Sequence, residues 1–211
     1  EINDVTTLTS VFDRGTQSDP RLDLAFDYLG YLGTPTRTAE QIKKELYELA
    51  CYQRLSCGPT QSSIGVSGLD KNVGKAMDIV EDLIFNAQPD TAILAGLKSD
   101  IFKSRSDSKL SQRACFSALQ KYLFYGPEFI RNTTLTNEQI AALTSDELLQ
   151  AVRDLYTKRH DILYYGPSDE TTAKNMIAEH HKISENPEPL ERIHPQARQV
   201  TSSEVFIAPY D

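Results

Sequence analysis

Tyr28-Leu29-Gly30-Tyr31-Leu32-Gly33-Thr34, with Thr38-Ala39-Glu40-Gln41 close behind it, is the most informative stretch of this 211-residue chain. Asp19-Pro20 lies upstream, and Pro in a first helical turn costs no hydrogen bond. The helix it opens carries Leu22, Ala25, Phe26 and Leu29 on one stripe. Leu24, Tyr28, Tyr31 and Leu32 widen that stripe around the cylinder, so the spacing predicts a helix buried on more than one side and stopped by Gly33. Thr38 and Gln41 have the spacing of a capping box. Ile42, Leu46 and Leu49 continue it as a second amphipathic helix.

Working outward, Val5 to Phe12 reads as a strand. Gln53 to Cys57 and Ser62 to Ser67 read as a hairpin around Gly58-Pro59. Asp70 is expected to cap a helix bearing Val73, Met77, Val80, Leu83 and Ile84, and Pro89-Asp90 starts another. The polar run Lys103 to Lys109 holds no Gly or Pro, so that helix either continues through it or restarts near Ser108. A third long helix with Ala114, Ala118, Tyr122 and Leu123 should stop at Gly126-Pro127. Thr136 to Gln139 and Thr144 to Glu147 are two more capping boxes. Ile162 to Tyr165 reads as a strand, and Ser168 as the cap of a last helix near 169–182. A linker rich in Pro follows, then a terminal strand around Val205 to Ile207 and on to Tyr210. Consecutive helices and adjacent strands without βαβ alternation indicate an α+β fold, mainly an antiparallel sheet packed against several helices.

Lys and Arg total 22 against 30 Asp and Glu, a formal charge of −8. That balance disfavours binding to a phosphate backbone, so no nucleic-acid partner is expected. No apolar run approaches the ~18 residues of a membrane span. The candidates for chemistry mostly have plain readings. His180 and His181 are adjacent and read as a solvated helix end, since a helical zinc pair needs i and i+4. His160-Asp161 precedes a strand with no nucleophile motif beside it. Cys51, Cys57 and Cys115 read as small core residues, Cys115 in particular because Ala114, Phe116 and Ala118 surround it. They leave the compartment open. Gly65-Val66-Ser67-Gly68 is too short for a dinucleotide fingerprint. Lys103, Arg105 and Lys109 alternate with Ser and Asp as a solvated helix face does. Glu45/Glu48 and Asp78/Glu81 sit at helical spacing on polar faces.

Taken together, the Tyr28 to Thr34 turn, the Thr38 capping box, the strand Ser62 to Ser67 leading through Gly68-Leu69 into the Asp70 helix, and Ile162 to Pro167 resemble the αβ repeat of the pitrilysin/insulinase family of zinc metallopeptidases. In that family's catalytic repeat, HxxEH lies on the helix that ends in Gly-Thr. Setting Gly33-Thr34 against that turn places the two zinc-ligand positions at Leu24 and Tyr28 and the general-base position at Asp27. The third ligand should fall near Ile101 to Ser104, and no Glu occurs between Glu81 and Glu128.

The resemblance therefore implies a degenerate repeat that holds no metal, in a longer protein whose zinc is carried by another repeat. It implies residues 1–183 as the repeat, 184–200 as a linker and 201–211 as the opening strand of a further repeat. The expected partners are the remaining repeats of the same polypeptide and peptide substrates, with Leu24, Tyr28 and Tyr31 as the candidate peptide contacts. The function implied is that of a non-catalytic domain helping to form the peptide chamber of a metalloendopeptidase. The alternative is an assembly or substrate-binding domain of a wholly inactive family member.

Overall fold

The computed structural model describes residues 4–190 and 192–208. Its elements run β1 (Val5–Phe12), α1 (Leu22–Leu29), α2 (Ala39–Glu48), β2 (Cys51–Cys57), β3 (Ser62–Leu69), α3 (Asp70–Asn86), α4 (Thr91–Lys109), α5 (Gln112–Thr133), α6 (Asn137–Ala142), α7 (Ser145–Leu155), β4 (Asp161–Tyr165) and α8 (Glu170–His180). The sheet is antiparallel throughout, in the order β2-β3-β1-β4. The fold is α+β, as the element order predicts.

The first strand is a central one because its side chains alternate. Thr6, Leu8, Ser10 and Phe12 are buried, and Leu8 lies opposite Val66 on one side and Tyr164 on the other. Helix α3 packs on the buried side of the sheet and contributes Val73, Met77, Val80 and Ile84. Helix α1 packs on α7, placing Leu22, Ala25, Phe26 and Leu29 in one core with Leu148, Leu149, Val152 and Leu155. Each large apolar side chain fully buried there contributes about 1.5–3 kcal/mol. All three capping boxes form, at Thr38, Thr136 and Thr144.

Several local expectations are corrected. Helix α1 ends at Leu29 and Gly30 follows as its cap, not Gly33. Gly33 is needed for a different reason: a Cβ there would meet the Arg37 carbonyl at 2.5 Å. Of the two readings of the polar stretch the first holds, since helix α4 runs through it to Lys109. The stop expected at Gly126-Pro127 is present inside the span of α5: Gly126 takes the non-helical angles φ 76°, ψ −179°, and Pro127 opens a second helical segment. Asp70 does not cap α3. Its carboxylate accepts instead from the hydroxyls of Thr6, Tyr164 and Ser168, joining β1, β4 and the loop before α8. With Ser168 used in that way, Asp169 caps α8.

Cys115 is not in the core, because the only buried residue of α5 is Gly126 and Phe116 beside it is 58% exposed. Residues 184–190 and 192–200 form neither helix nor strand ladder, with a bend at 185–186, and Glu188 exchanges backbone hydrogen bonds with Thr157 and Arg159. Val205 to Ile207 forms no ladder among the described residues. Pro209 and Tyr210 lie outside them.

Candidate functional site

Helices α1, α4 and α5 enclose a cleft of about 610 Å³. On α1 it is lined by Asp23, Leu24 and Asp27. Asp23 and Asp27 are one helical turn apart, so they share the exposed face of a helix whose other faces are buried. Helix α4 contributes Ile101 and Arg105, and α5 contributes Lys121, Tyr125 and Phe129. The last two rings stack at 4.5 Å. Cys57, Gly58 and Pro59 from the hairpin and Pro195 from the C-terminal segment also line it.

Leu24, Asp27 and Ile101, the last at the start of the expected third-ligand stretch, line the same cleft. Their side chains determine what the cleft can do. Burial pushes the Asp27 carboxyl above the usual carboxylate range, and the neighbouring Asp23 charge adds to that. Burial also pushes the Cys57 thiol up, which works against a nucleophilic thiolate. Arg105 is already engaged: its guanidinium donates to Asn137 Oδ1 at 2.6 Å and to the Leu135 carbonyl at 2.8 Å, clamping α4 to the start of α6.

Tyr28 has a different role from the one expected. It is fully buried, and its hydroxyl donates to the Asp90 carbonyl at 2.9 Å, accepts the Asp90 N–H at 2.7 Å and shares a hydrogen bond with Ser145 Oγ at 2.9 Å. It pins α1 to the first turns of α4 and α7 and has no surface to offer a peptide. Tyr31 is 54% exposed, but it sits beside Lys43 on a separate groove with Thr34 to Gln41. Of the three candidate peptide contacts, only Leu24 reaches the cleft. The sequence reading overlooked the aromatic side of α5, where consecutive apolar residues gave no sign of which face is covered.

The residues at the zinc-motif positions do not fit a zinc ion. Leu24 has no lone pair, Tyr28 has its hydroxyl fully committed, and Ile101 is aliphatic. Among the described residues no cluster of three His, Cys, Asp or Glu side chains is spaced to hold a metal. Nor is any helix long and apolar enough to cross a membrane.

The histidines depart furthest from the sequence reading. His180 faces Asp78, with Nδ1 3.0 Å from both carboxylate oxygens. His181 is not solvated. It is 6% exposed, lies 2.5 Å from Glu81 through Nδ1 and touches His160 Nε2 at 2.8 Å through Nε2.

No protein-family model and no curated protein sequence matches the chain. Solved structures do. The chain is similar to the periplasmic protease PqqL from Escherichia coli, with a TM-score of 0.78 at 18% identity, over 96% of this chain and 23% of that one. It is similar to the ferredoxin protease FusC, with a TM-score of 0.75 at 11% identity, over 93% and 22%. A peptidase M16 inactive domain from Pseudomonas fluorescens matches with a TM-score of 0.73 at 14% identity, over 91% and 48%. The chain spans less than a quarter of PqqL and of FusC and about half of the inactive domain's chain. At these identities the likeness is one of fold, and the chain carries the fold of a pitrilysin-like, M16 peptidase domain.

Proposed function

We propose that this chain is a non-catalytic repeat of a pitrilysin-like zinc endopeptidase, and that its cleft forms part of the wall that holds peptide while zinc in another repeat performs hydrolysis. One observation carries the reading: Leu24, Asp27 and Ile101, the positions that the family resemblance picks out, line a single cleft, and the aliphatic Leu24 and Ile101 offer no lone pair to a metal. Asp23 and Asp27 give the α1 side of that cleft negative charge, while Tyr125 and Phe129 give the opposite side flat apolar surface beside the single cation Lys121, Arg105 being held by Asn137 and Leu135. That combination suits an extended peptide bearing a basic side chain. Residues 184–200 then serve as the linker to a following repeat, with the stretch from 201 as its opening strand.

The test is steady-state hydrolysis of basic and neutral peptides by the full-length protein and its Asp27→Lys variant. The expected result is a KM raised about tenfold for basic peptides with kcat unchanged, as for a contact made equally in ground and transition states. An unchanged KM would remove this cleft from the chamber. A full-length protein that binds peptide and never hydrolyses it would favour the assembly or substrate-binding alternative.

A further inference from the structure

A second polar centre lies away from the cleft, in the core between α3 and the end of α8. Glu81 is on α3, His160 precedes β4, and His181 follows the last residue of α8. His160 Nδ1 lies 2.9 Å from the Lys158 carbonyl, His160 Nε2 2.8 Å from His181 Nε2, and His181 Nδ1 2.5 Å from Glu81 Oε1. The Lys182 N–H donates to both Glu81 oxygens, at 3.2 and 3.0 Å. Phe12 and Tyr156 pack against the His160 ring, and Tyr156 also packs against His181.

The proton count follows from the contacts. A carbonyl only accepts, so His160 Nδ1 carries a proton. The contact between the two Nε2 atoms holds one proton, and the contact between His181 Nδ1 and Glu81 holds one more. Two neutral imidazoles and a carboxylate supply two protons in total. The closed chain therefore carries a third and is electrically neutral as a unit, which is the form burial favours. A fourth proton sets N–H against N–H at the His160–His181 contact or adds a buried charge. Loss of the third leaves lone pair against lone pair or a buried, unpaired negative charge.

We propose that Glu81, His181 and His160 are a proton-counting latch that fastens the end of α8 and the segment leaving it to α3, and that opens on acidification. The segment so fastened exchanges hydrogen bonds with Thr157 and Arg159 through Glu188 and continues to Pro195 in the lining of the cleft.

The other charged and titratable groups facing this centre are few. Asp78 is taken by His180, and Arg153 donates to the Ile84 carbonyl. Lys158 pairs with Glu188, and the Lys182 ammonium lies over the Phe85 ring. Asp161 and Glu81 favour a charged His160, and His181 opposes it. Burial is the largest influence on His160 and pulls its pKa below the usual value; it also pushes the buried Tyr156 hydroxyl up, keeping it neutral. Because the folded value for His160 lies below the unfolded one, the unfolded chain takes up that proton first. For His160 alone, this contribution to stability is complete above about pH 6.5 and is lost as pH falls through the folded value. The third proton of the closed chain sets the opposite limit, since its loss at high pH also breaks the chain.

The test is amide hydrogen exchange on the full-length protein at pH 7.5 and 5.0, corrected for intrinsic exchange. The expected result is at least a tenfold loss of protection confined to residues 181–190 at pH 5.0, with α3 and α7 still protected. Retained protection, or loss spread evenly over the domain, overturns the proposal without recourse to any variant. In His160→Gln the amide oxygen accepts from His181 Nε2 at either pH, so a folded H160Q protein should stay latched at pH 5.0. A folded H160Q that opens like the parent also overturns it.

Discussion

The two sides of the cleft are built in opposite ways. Helix α1 has six of its eight residues buried, packs on α7 and is pinned at Tyr28 by three hydrogen-bond contacts. Helix α5 is two segments kinked at Gly126, buries only Gly126 and exposes Phe116, Tyr122, Leu123, Phe124 and Tyr125. The first takes its position from tertiary packing, the second mostly from its own backbone. A helix held by so few neighbours draws little of the stabilisation that ordinarily fixes helices in proteins. A cleft made this way has one fixed face carrying the acidic pair and one adjustable face carrying the aromatic rings.

The largest expected effect breaks the fixed side. Tyr28→Ala should cost about 3–5 kcal/mol by opening a cavity. Tyr28→Phe keeps the ring but strands buried groups of Asp90 and Ser145, and should cost about 1–3 kcal/mol in urea unfolding. A Tyr28→Phe protein as stable as the parent would mean those hydrogen bonds are not what holds α1. Next comes the adjustable side. Gly126→Ala has room for its methyl, since the nearest atom, Arg198 Cδ, is 3.7 Å away, but the backbone angle is one that favours glycine. The cost, about 1–3 kcal/mol, should be felt as faster amide exchange within 112–133 while α1 and α7 are unchanged.

A smaller change runs the other way. The Asp27 carboxyl binds its proton more tightly in the folded chain, so its ionised form opposes folding above the usual carboxylate range. Asp27→Asn should stabilise at pH 7, by less than about 1 kcal/mol because solvent screens this exposed residue. Destabilisation would show that the carboxylate has a partner in the fold. Phe116→Ser on the outer side of α5 should move the urea midpoint least, within about 0.5 kcal/mol. A larger loss would reveal that α5 is covered in solution.

Much of this architecture was legible where the signal is local. The capping boxes at Thr38, Thr136 and Thr144 appear where the spacing puts them, and the α1 stripe is buried as its width requires. What could not be read depends on the chain leaving its regular path. His181 looks like its neighbour His180 if both are on a helix, yet α8 ends at His180. His181 then turns to extended angles, φ −112° and ψ 125°, which swing its ring into the core. Asp70 and Ser168 look like caps by position, but Thr6 and Tyr164 draw the Asp70 carboxylate sideways from elements far along the chain. Cys115 lies among apolar neighbours, but among the described residues α5 is packed by little besides α4, and the cysteine stays outside the core. Leu24 and Asp27, singled out by position against Gly33-Thr34, line the cleft. The burial of Tyr28 follows from partners on α4 and α7 that no local pattern names.

The order of the sheet has a consequence for how the chain comes to be folded. β1 is made first, yet its second neighbour is β4, so Thr7 must wait for Tyr165 and Val11 for Asp161. Until then β1 can pair with β3 on one side only and offers an open hydrogen-bonding edge on the other. Pairings of such high contact order close slowly. During that interval the nascent edge is a template for any other extended chain. Synthesis that pauses before residue 161 should therefore yield a species prone to aggregation, even though every helix from α1 to α7 is already in place.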